Sequence, residues 1–305
     1  MKFIKKAAAF LLFGTITLGS LRQSVPELFT YVENIINRFT EVSEADELSP
    51  DTLAPKRGNH SPKTERDVST STGASNGWYC KHTQNGERPS IPSEMSYLTK
   101  HNGYFLGEDE KVIYLTFDAG YENGNIEKIL DTLKKDEVPG AFFVLENLVK
   151  TNTDLIERMI KEGHTVCNHT ARHKDMTKMT SKEAFATELE EMETIYSDIT
   201  GKELSKYYRP PEGKISEENL MWADELGYKT IMWSYAYADW DNNNQMSPDK
   251  AIEKVMSGIH NGEVLLLHPT SSTNAEILPE LIKRLKDMGY RFGTLDELTG
   301  AGDNG

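Results

Sequence analysis

Several polar residues sit directly after short apolar runs, and each is of a type that does chemistry. Asp118 follows Ile113–Phe117. Asn168 and His169 follow His164–Cys167, and Arg209 follows Tyr207-Tyr208. Asp239 comes a few residues beyond Tyr228–Trp233, and His268 follows Val264–Leu267. A carboxylate at the end of a buried strand is costly unless something there needs it. An ionised Asp can take a proton and a protonated His can give one. His169 and His173 form an H-x3-H pair, whose imidazoles share a face and can bind one metal if the segment is helical or turn-like. Two histidines are one ligand short of the usual catalytic site, and isolated pairs of this spacing also occur on surfaces and in cores. Asp239 can orient His268 and raise its pKa, although a His at a strand end also serves as a structural donor. Arg209, stiffened by Pro210-Pro211, reads either as a surface salt bridge or as a clamp on Asp118.

The elements that must place these groups alternate regularly from residue 112 onward. Strand-like runs cover Val112–Phe117, Ala141–Leu145, His164–Cys167, Tyr207-Tyr208, Tyr228–Trp233, Val264–Leu267 and Tyr290–Phe292. Helical spacing fills the intervals: Ile126, Ile129, Leu130 and Leu133 in the first, Leu155 to Ile160 in the second. Thr180 with Glu183 reads as a capping box for a helix through Phe185, Leu189, Met192 and Ile195. Ser216 caps a helix stopped by Gly227, Ser247-Pro248 opens one stopped by Asn261-Gly262, and the last runs from Ile277 to Gly289. Such alternation predicts an α/β fold with a parallel sheet, curled into a distorted (β/α) barrel of about seven strands, with an open doubly wound sheet as the alternative. In a barrel the strand ends open on one face, so the polar residues above would share a rim.

The rest of the chain of 305 residues is additional to that unit. Lys2, Lys5 and Lys6 precede the apolar run Ala7–Gly19, which is too short to span a bilayer and has the length of a signal-peptide core. Residues 1–24 therefore predict export, with the segment either removed or kept as a short membrane anchor. Residues 25–42 read as an amphipathic helix, and 43–76, poor in aliphatic side chains, as a disordered linker. Aromatic but aperiodic residues 77–111 read as an extension packed on the barrel. A net charge of −14 excludes nucleic-acid binding, which needs a basic surface, and no glycine-rich loop follows the first strand to hold a nucleotide. The two cysteines, Cys80 and Cys167, match no zinc motif and no disulfide framework.

Taken together, Thr116-Phe117-Asp118-Ala119-Gly120, His169-Thr170-Ala171-Arg172-His173, Arg209-Pro210-Pro211-Glu212-Gly213, Asp239-Trp240 and Leu265-Leu266-Leu267-His268 occur in the order of the five motifs of the polysaccharide deacetylases (the NodB homology domain, carbohydrate esterase family 4). The chain resembles that family over residues 112–299. The longer string Thr116 to Gly124, with Asn102-Gly103-Tyr104 before it, is similar to a narrower branch, the delta-lactam-biosynthetic de-N-acetylases of spore-forming bacteria, which act on N-acetylmuramic acid in peptidoglycan.

The resemblance implies a metal-dependent N-deacetylase. It assigns Asp118 as general base, His268 as general acid with Asp239 as its partner, and Arg209 as the residue orienting the base. His169 and His173 become ligands of a divalent metal, zinc or else cobalt or manganese, and the backbone N–H of Glu212 an oxyanion donor. Tyr121 and Trp240 are expected at the substrate. Arg172 and Lys214 are the candidate cations for a lactyl carboxylate, which Glu212 would oppose if it pointed inward. N-acetylglucosamine or chitin-like glycans are the alternative substrates, and a catalytically silent glycan-binding protein is the alternative function. The expected partner is the peptidoglycan strand, with an amidase that removes stem peptides acting first. Ala119 departs from the family, most of whose members carry there an aspartate that is the third metal ligand.

Overall fold

The computed structural model describes residues 75–301. The signal or anchor, the amphipathic helix and all but the last residues of the linker lie outside the described residues. Asn76, assigned to the linker, instead forms with Gly77 a short strand, β1, paired antiparallel with β7 (Lys214–Ile215).

A parallel sheet organises everything else. Its strands are β2 (Gly103–Tyr104), β3 (Val112–Ala119), β4 (Ala141–Val144), β5 (Thr165–Asn168), β6 (Tyr207–Tyr208), β8 (Lys229–Ile231), β9 (Tyr235–Ala236), β10 (Glu263–Leu267) and β11 (Arg291–Phe292). The order is β2-β8-β6-β5-β4-β3-β10-β9, with β11 beside the first residues of β3. From β3 the chain steps outward through β4, β5, β6 and β8, then returns to β10 on the other side of β3. That circular order curls the sheet, and β2 and β9 are its two ends. The sheet thus has nine strands rather than about seven. The additions, β2 and β9, are two residues each, too short to leave a periodic signal.

β3 explains the layering. Both its faces are buried, so its sequence VIYLTFDA is a nearly unbroken apolar run. Ile113, Leu115, Phe117 and Ala119 point outward into a core shared with Ile126, Ile129 and Leu133 of the helix Ile126–Lys135. Val112 and Tyr114 point inward, to a second core with Phe143, Cys167 and Ile231. The short helix Leu295–Thr299, not anticipated from the sequence, joins Leu295 to this inner core. The inner column of β3 continues as Thr116 and then Asp118, so the barrel interior turns from apolar to polar toward the carboxyl ends of its strands.

Most helix termini fall where local chemistry puts them. Ser216 accepts from the Asn219 N–H at 3.2 Å, and Gly227 and Gly289 take left-handed φ values of 80° and 85°. The capping box is corrected by one residue. Ser181, not Thr180, caps the helix Lys182–Thr200, its Oγ accepting from Ala184 N at 3.2 Å, and Glu183 falls one position short of the box.

Candidate active site

Arg209 is the axis of the site. Its guanidinium enters the barrel from the end of β6 and is fully buried. Nε donates to Ile231 O at 2.8 Å, Nη2 to Thr116 Oγ1 at 2.9 Å and to Met232 O at 3.2 Å, and Nη1 to Asp118 Oδ1 at 2.8 Å. The flat cation lies 4.2 Å from the centre of the Phe143 ring. Of the two readings open from the sequence, the structure gives the clamp on Asp118. Burial pushes the Asp118 carboxyl up, but Arg209, with His169 and His268, outweighs it and holds the carboxyl below its ordinary value. Asp118 is therefore an ionised acceptor that faces a cavity while its other oxygen is pinned.

His169 and His173 follow β5 on a turn the backbone reaches only with effort. Thr170 and His173 have φ of 71° and 55°, and left-handed geometry is unfavourable for a β-branched threonine. Asn168 stabilises it. Its side-chain oxygen accepts from Thr170 N at 2.8 Å, and its amide donates to Tyr228 Oη at 2.8 Å and Leu189 O at 3.0 Å. Thr170 Oγ1 then accepts from His173 N at 2.9 Å. His169 Nδ1 donates to Arg209 O at 2.8 Å, which leaves Nε2 as a lone pair 3.7 Å from Asp118 Oδ2. Burial pushes the His169 pKa down to about 4, so the ring is neutral near pH 7. The two rings meet edge to face with centroids 5.1 Å apart.

His268 follows β10, the strand paired with β3. Its Nδ1 contacts Asp239 Oδ1 at 2.7 Å, and its backbone N–H donates to Asp239 Oδ2 at 2.8 Å. Asn274 Nδ2 donates to the same Oδ2 at 2.6 Å, so the buried carboxylate is fixed on two sides. Burial lowers the His268 pKa, but the hydrogen bond and charge of Asp239 outweigh it, and the net shift is upward. A proton donor of this kind loses its proton as pH rises through the raised pKa. Asp239→Asn removes the two largest raising causes and leaves burial opposed by the Asp118 charge. The alkaline limb of any reaction using this proton should then move to lower pH; a pH–rate profile with an unmoved limb would separate His268 from the proton transfer.

Asp118, His169, His173 and His268 all line one cavity of about 710 Å³, with Glu212 and Gly213 on its wall. Trp240 is exposed at its edge, its ring centre 6.2 Å from that of His268. Tyr121 is also at the edge, and its hydroxyl accepts from Asn242 Nδ2 at 2.8 Å, linking two rim loops. Arg172 and Lys214 are not brought to this cavity, which corrects their assignment. Arg172 turns away to Glu188 and Glu191, and Lys214 is bound by Glu212 at 2.8 Å and Asp175 at 3.1 Å. The Glu212 carboxylate is turned to Lys214 as well. Sequence reasoning gave no role to Asn168, Asn274 or Thr116. These act mainly through hydrogen bonds whose partners are remote in sequence, and only Asn168 is marked locally, by its place after an apolar run.

Two imidazoles side by side, that of His169 held neutral, have the donor chemistry a divalent ion takes, and an ionised Asp118 lies next to them. The third protein ligand is missing. Ala119 is fully buried and faces outward with Phe117, and among the described residues no three His, Cys, Asp or Glu side chains are grouped to hold an ion. The residues therefore fit a metal held by two histidines and solvent.

A polysaccharide deacetylase family model matches residues 106–231. Peptidoglycan-N-acetylmuramic acid deacetylase PdaA of Bacillus subtilis (strain 168) is 41% identical over 223 residues, 72% of this chain and 84% of that one. The structure of Bacillus subtilis PdaA, a family 4 carbohydrate esterase, matches with a TM-score of 0.72 at 39% identity, over 75% of this chain and 98% of that one. Peptidoglycan-N-acetylglucosamine deacetylase PgdA of Listeria monocytogenes serotype 1/2a (strain 10403S) is 35% identical over 190 residues, 62% of this chain and 39% of that one. A curled parallel sheet with an Asp–Arg pair, two histidines and an Asp–His pair on one rim agrees with these matches, and the chain belongs to the polysaccharide deacetylase family of carbohydrate-active hydrolases.

Proposed function

We propose that the protein removes the N-acetyl group from N-acetylmuramic acid in peptidoglycan, a step toward muramic delta-lactam in spore cortex. The observation that carries this reading is the meeting, in one cavity, of an ionised Asp118 fixed by Arg209 and a His268 whose pKa is raised by Asp239. Asp118 takes a proton from water as that water attacks the acetamide carbon. The N–H of Glu212 donates to the oxygen on which negative charge develops. His268 gives its proton to the departing amine as the carbon–nitrogen bond breaks, and acetate and a free amino sugar result. His169 and His173 would hold a divalent ion, zinc before cobalt or manganese, which would polarise the carbonyl and lower the pKa of the water. Trp240 and Tyr121 offer apolar faces to a sugar ring. The basic, then apolar, N-terminus supports action outside the cytoplasm, secreted or anchored in the membrane, on strands from which an amidase has first removed the stem peptides.

Similarity to PdaA over most of its length supports muramic acid as the substrate. A second reading, deacetylation of N-acetylglucosamine, is favoured by one observation: no lysine or arginine among the described residues lines the cavity to meet a lactyl carboxylate. Digesting cortex peptidoglycan from a strain lacking the protein decides between them. Loss of muramic lactam is expected; an unchanged digest would sink the muramic assignment.

The two-histidine site has its own test. Ala119→Asp should melt below the parent chain without metal, because a carboxylate is buried there unpaired. Zinc should then raise its Tm more than the parent's only if the end of β3 turns to bring the new carboxylate to the histidines, since Ala119 faces outward. At saturating ion each tenfold gain in affinity contributes about 1.4 kcal/mol. Equal zinc-induced shifts in the two proteins would show only that a carboxylate at outward-facing position 119 does not reach the ion; absence of any zinc-induced shift in the parent chain would count against His169 and His173 as ligands.

A further inference from the structure

The wall of the cavity includes a turn that is conformationally unfavourable. Glu212 and Gly213 are both left-handed, with φ of 56° and 64°. A non-glycine residue held there is strained and persists only when its surroundings dictate it. The surroundings that do so come largely from residues 76–78, which lie outside the residues matched by the family model.

Trp78 makes three contacts with this turn and the segment behind it. Its backbone N–H donates to Gly213 O at 2.8 Å. Its indole Nε1 donates to Trp233 O at 2.9 Å. Its Cβ lies so near Gly213 that a β-carbon added there would meet it at 3.3 Å and Trp233 Cη2 at 2.6 Å. Gly213 is thus wedged between two tryptophans, and only glycine fits. The two-residue pairing of Asn76 with Ile215 and Gly77 with Lys214 continues the grip past the turn. Trp78 is itself anchored, 5% exposed, edge-on to Phe105 with ring centroids 5.3 Å apart and packed with Met95, Leu98 and Leu220. Trp233 also walls the cavity, and its ring centre lies 5.8 Å from the Arg209 guanidinium carbon.

We propose that Trp78 is a positioning residue for deacetylation, holding the Glu212–Gly213 turn so that the Glu212 N–H points at the developing oxyanion. This rests on the functional reading above, in which that N–H is the oxyanion donor. The extension before the barrel is then part of the catalytic unit. A donor that matters only in the transition state affects kcat when it is misaimed, with little change in KM.

The test uses the full chain with Trp78→Phe, which keeps a ring and loses the indole donor, and Trp78→Ala, which loses both. Deacetylation kinetics on a soluble glycan oligomer and hydrogen exchange of segment 211–215 are read together. The expected result is graded. The Phe variant loses kcat by a few-fold and the Ala variant by roughly tenfold or more, with KM within about twofold. Exchange should rise at 211–215 and around Trp233, not across the sheet. Unchanged kcat in both folded variants would overturn the proposal. So would a loss of activity accompanied by uniformly faster exchange, which would mark Trp78 as a general stability residue. If the unsubstituted chain released no acetate, the functional reading would fail, and exchange at 211–215 would still decide whether Trp78 holds the turn.

Discussion

Asp118→Asn is expected to lower kcat for deacetylation by about a thousandfold, within the usual range for a general acid or base, while the fold and glycan binding survive. Asn keeps an oxygen where Arg209 Nη1 now finds Oδ1 at 2.8 Å, so the buried guanidinium retains an acceptor. What is lost is the ability to accept a proton, which an amide does not supply near neutral pH. Acetate release from glycan strands and co-sedimentation with insoluble peptidoglycan measure the two properties separately. The silent-binder alternative makes the opposite forecast for activity, since parent and variant would then bind equally and neither would release acetate. The geometry favours the enzyme. A binding protein gains nothing from holding one histidine neutral and another ready to be charged in one cavity.

The rim was legible in the sequence because its residues interrupt apolar runs. A buried strand of Val, Ile, Leu and Phe followed at once by Asp118 or His268 sets a polar group against its background, and the α/β alternation implies that such ends share one face. The parts that were not legible have physical reasons. β2 and β9 are two-residue pairings that depend on neighbours far along the chain. Arg172 stands between His169 and His173 in sequence, yet the left-handed Thr170 and His173 turn the backbone and its side chain leaves toward Glu191. Adjacency in sequence therefore misplaced it. Lys214 was misplaced for a related reason: a long side chain near a site goes to the nearest carboxylates, here Asp175 and Glu212. Ala119 was visible as a departure, but its outward direction, opposite to Asp118, follows only from the register of β3 with β4. Trp78 read merely as an aromatic residue in an irregular extension, because the turn it holds is remote in sequence.

Arg209→Met should cost the folded protein about 3–5 kcal/mol at neutral pH, the range for breaking a buried ion pair by removing one partner. Against a total stability of about 5–15 kcal/mol, that is enough to bring a domain close to unfolding. Methionine fills much of the same space, so the cavity term is small, and the cost has two other sources. Asp118 remains as a buried charge without its cation, and burial, now unopposed by Arg209, disfavours the ionised form. The carbonyls of Ile231 and Met232 also lose the Nε and Nη2 donors. These two sources can be separated by adding Asp118→Asn to Arg209→Met. A neutral side chain needs no cation, so the double variant should recover the part due to the stranded charge and keep the part due to the carbonyls. Urea unfolding of all four proteins in the cycle gives the coupling energy directly. If the coupling is below about 0.5 kcal/mol, within what independent sites show, then Arg209 holds the barrel interior together without holding Asp118. The ionised base would then have to be explained by His169 and His268 alone.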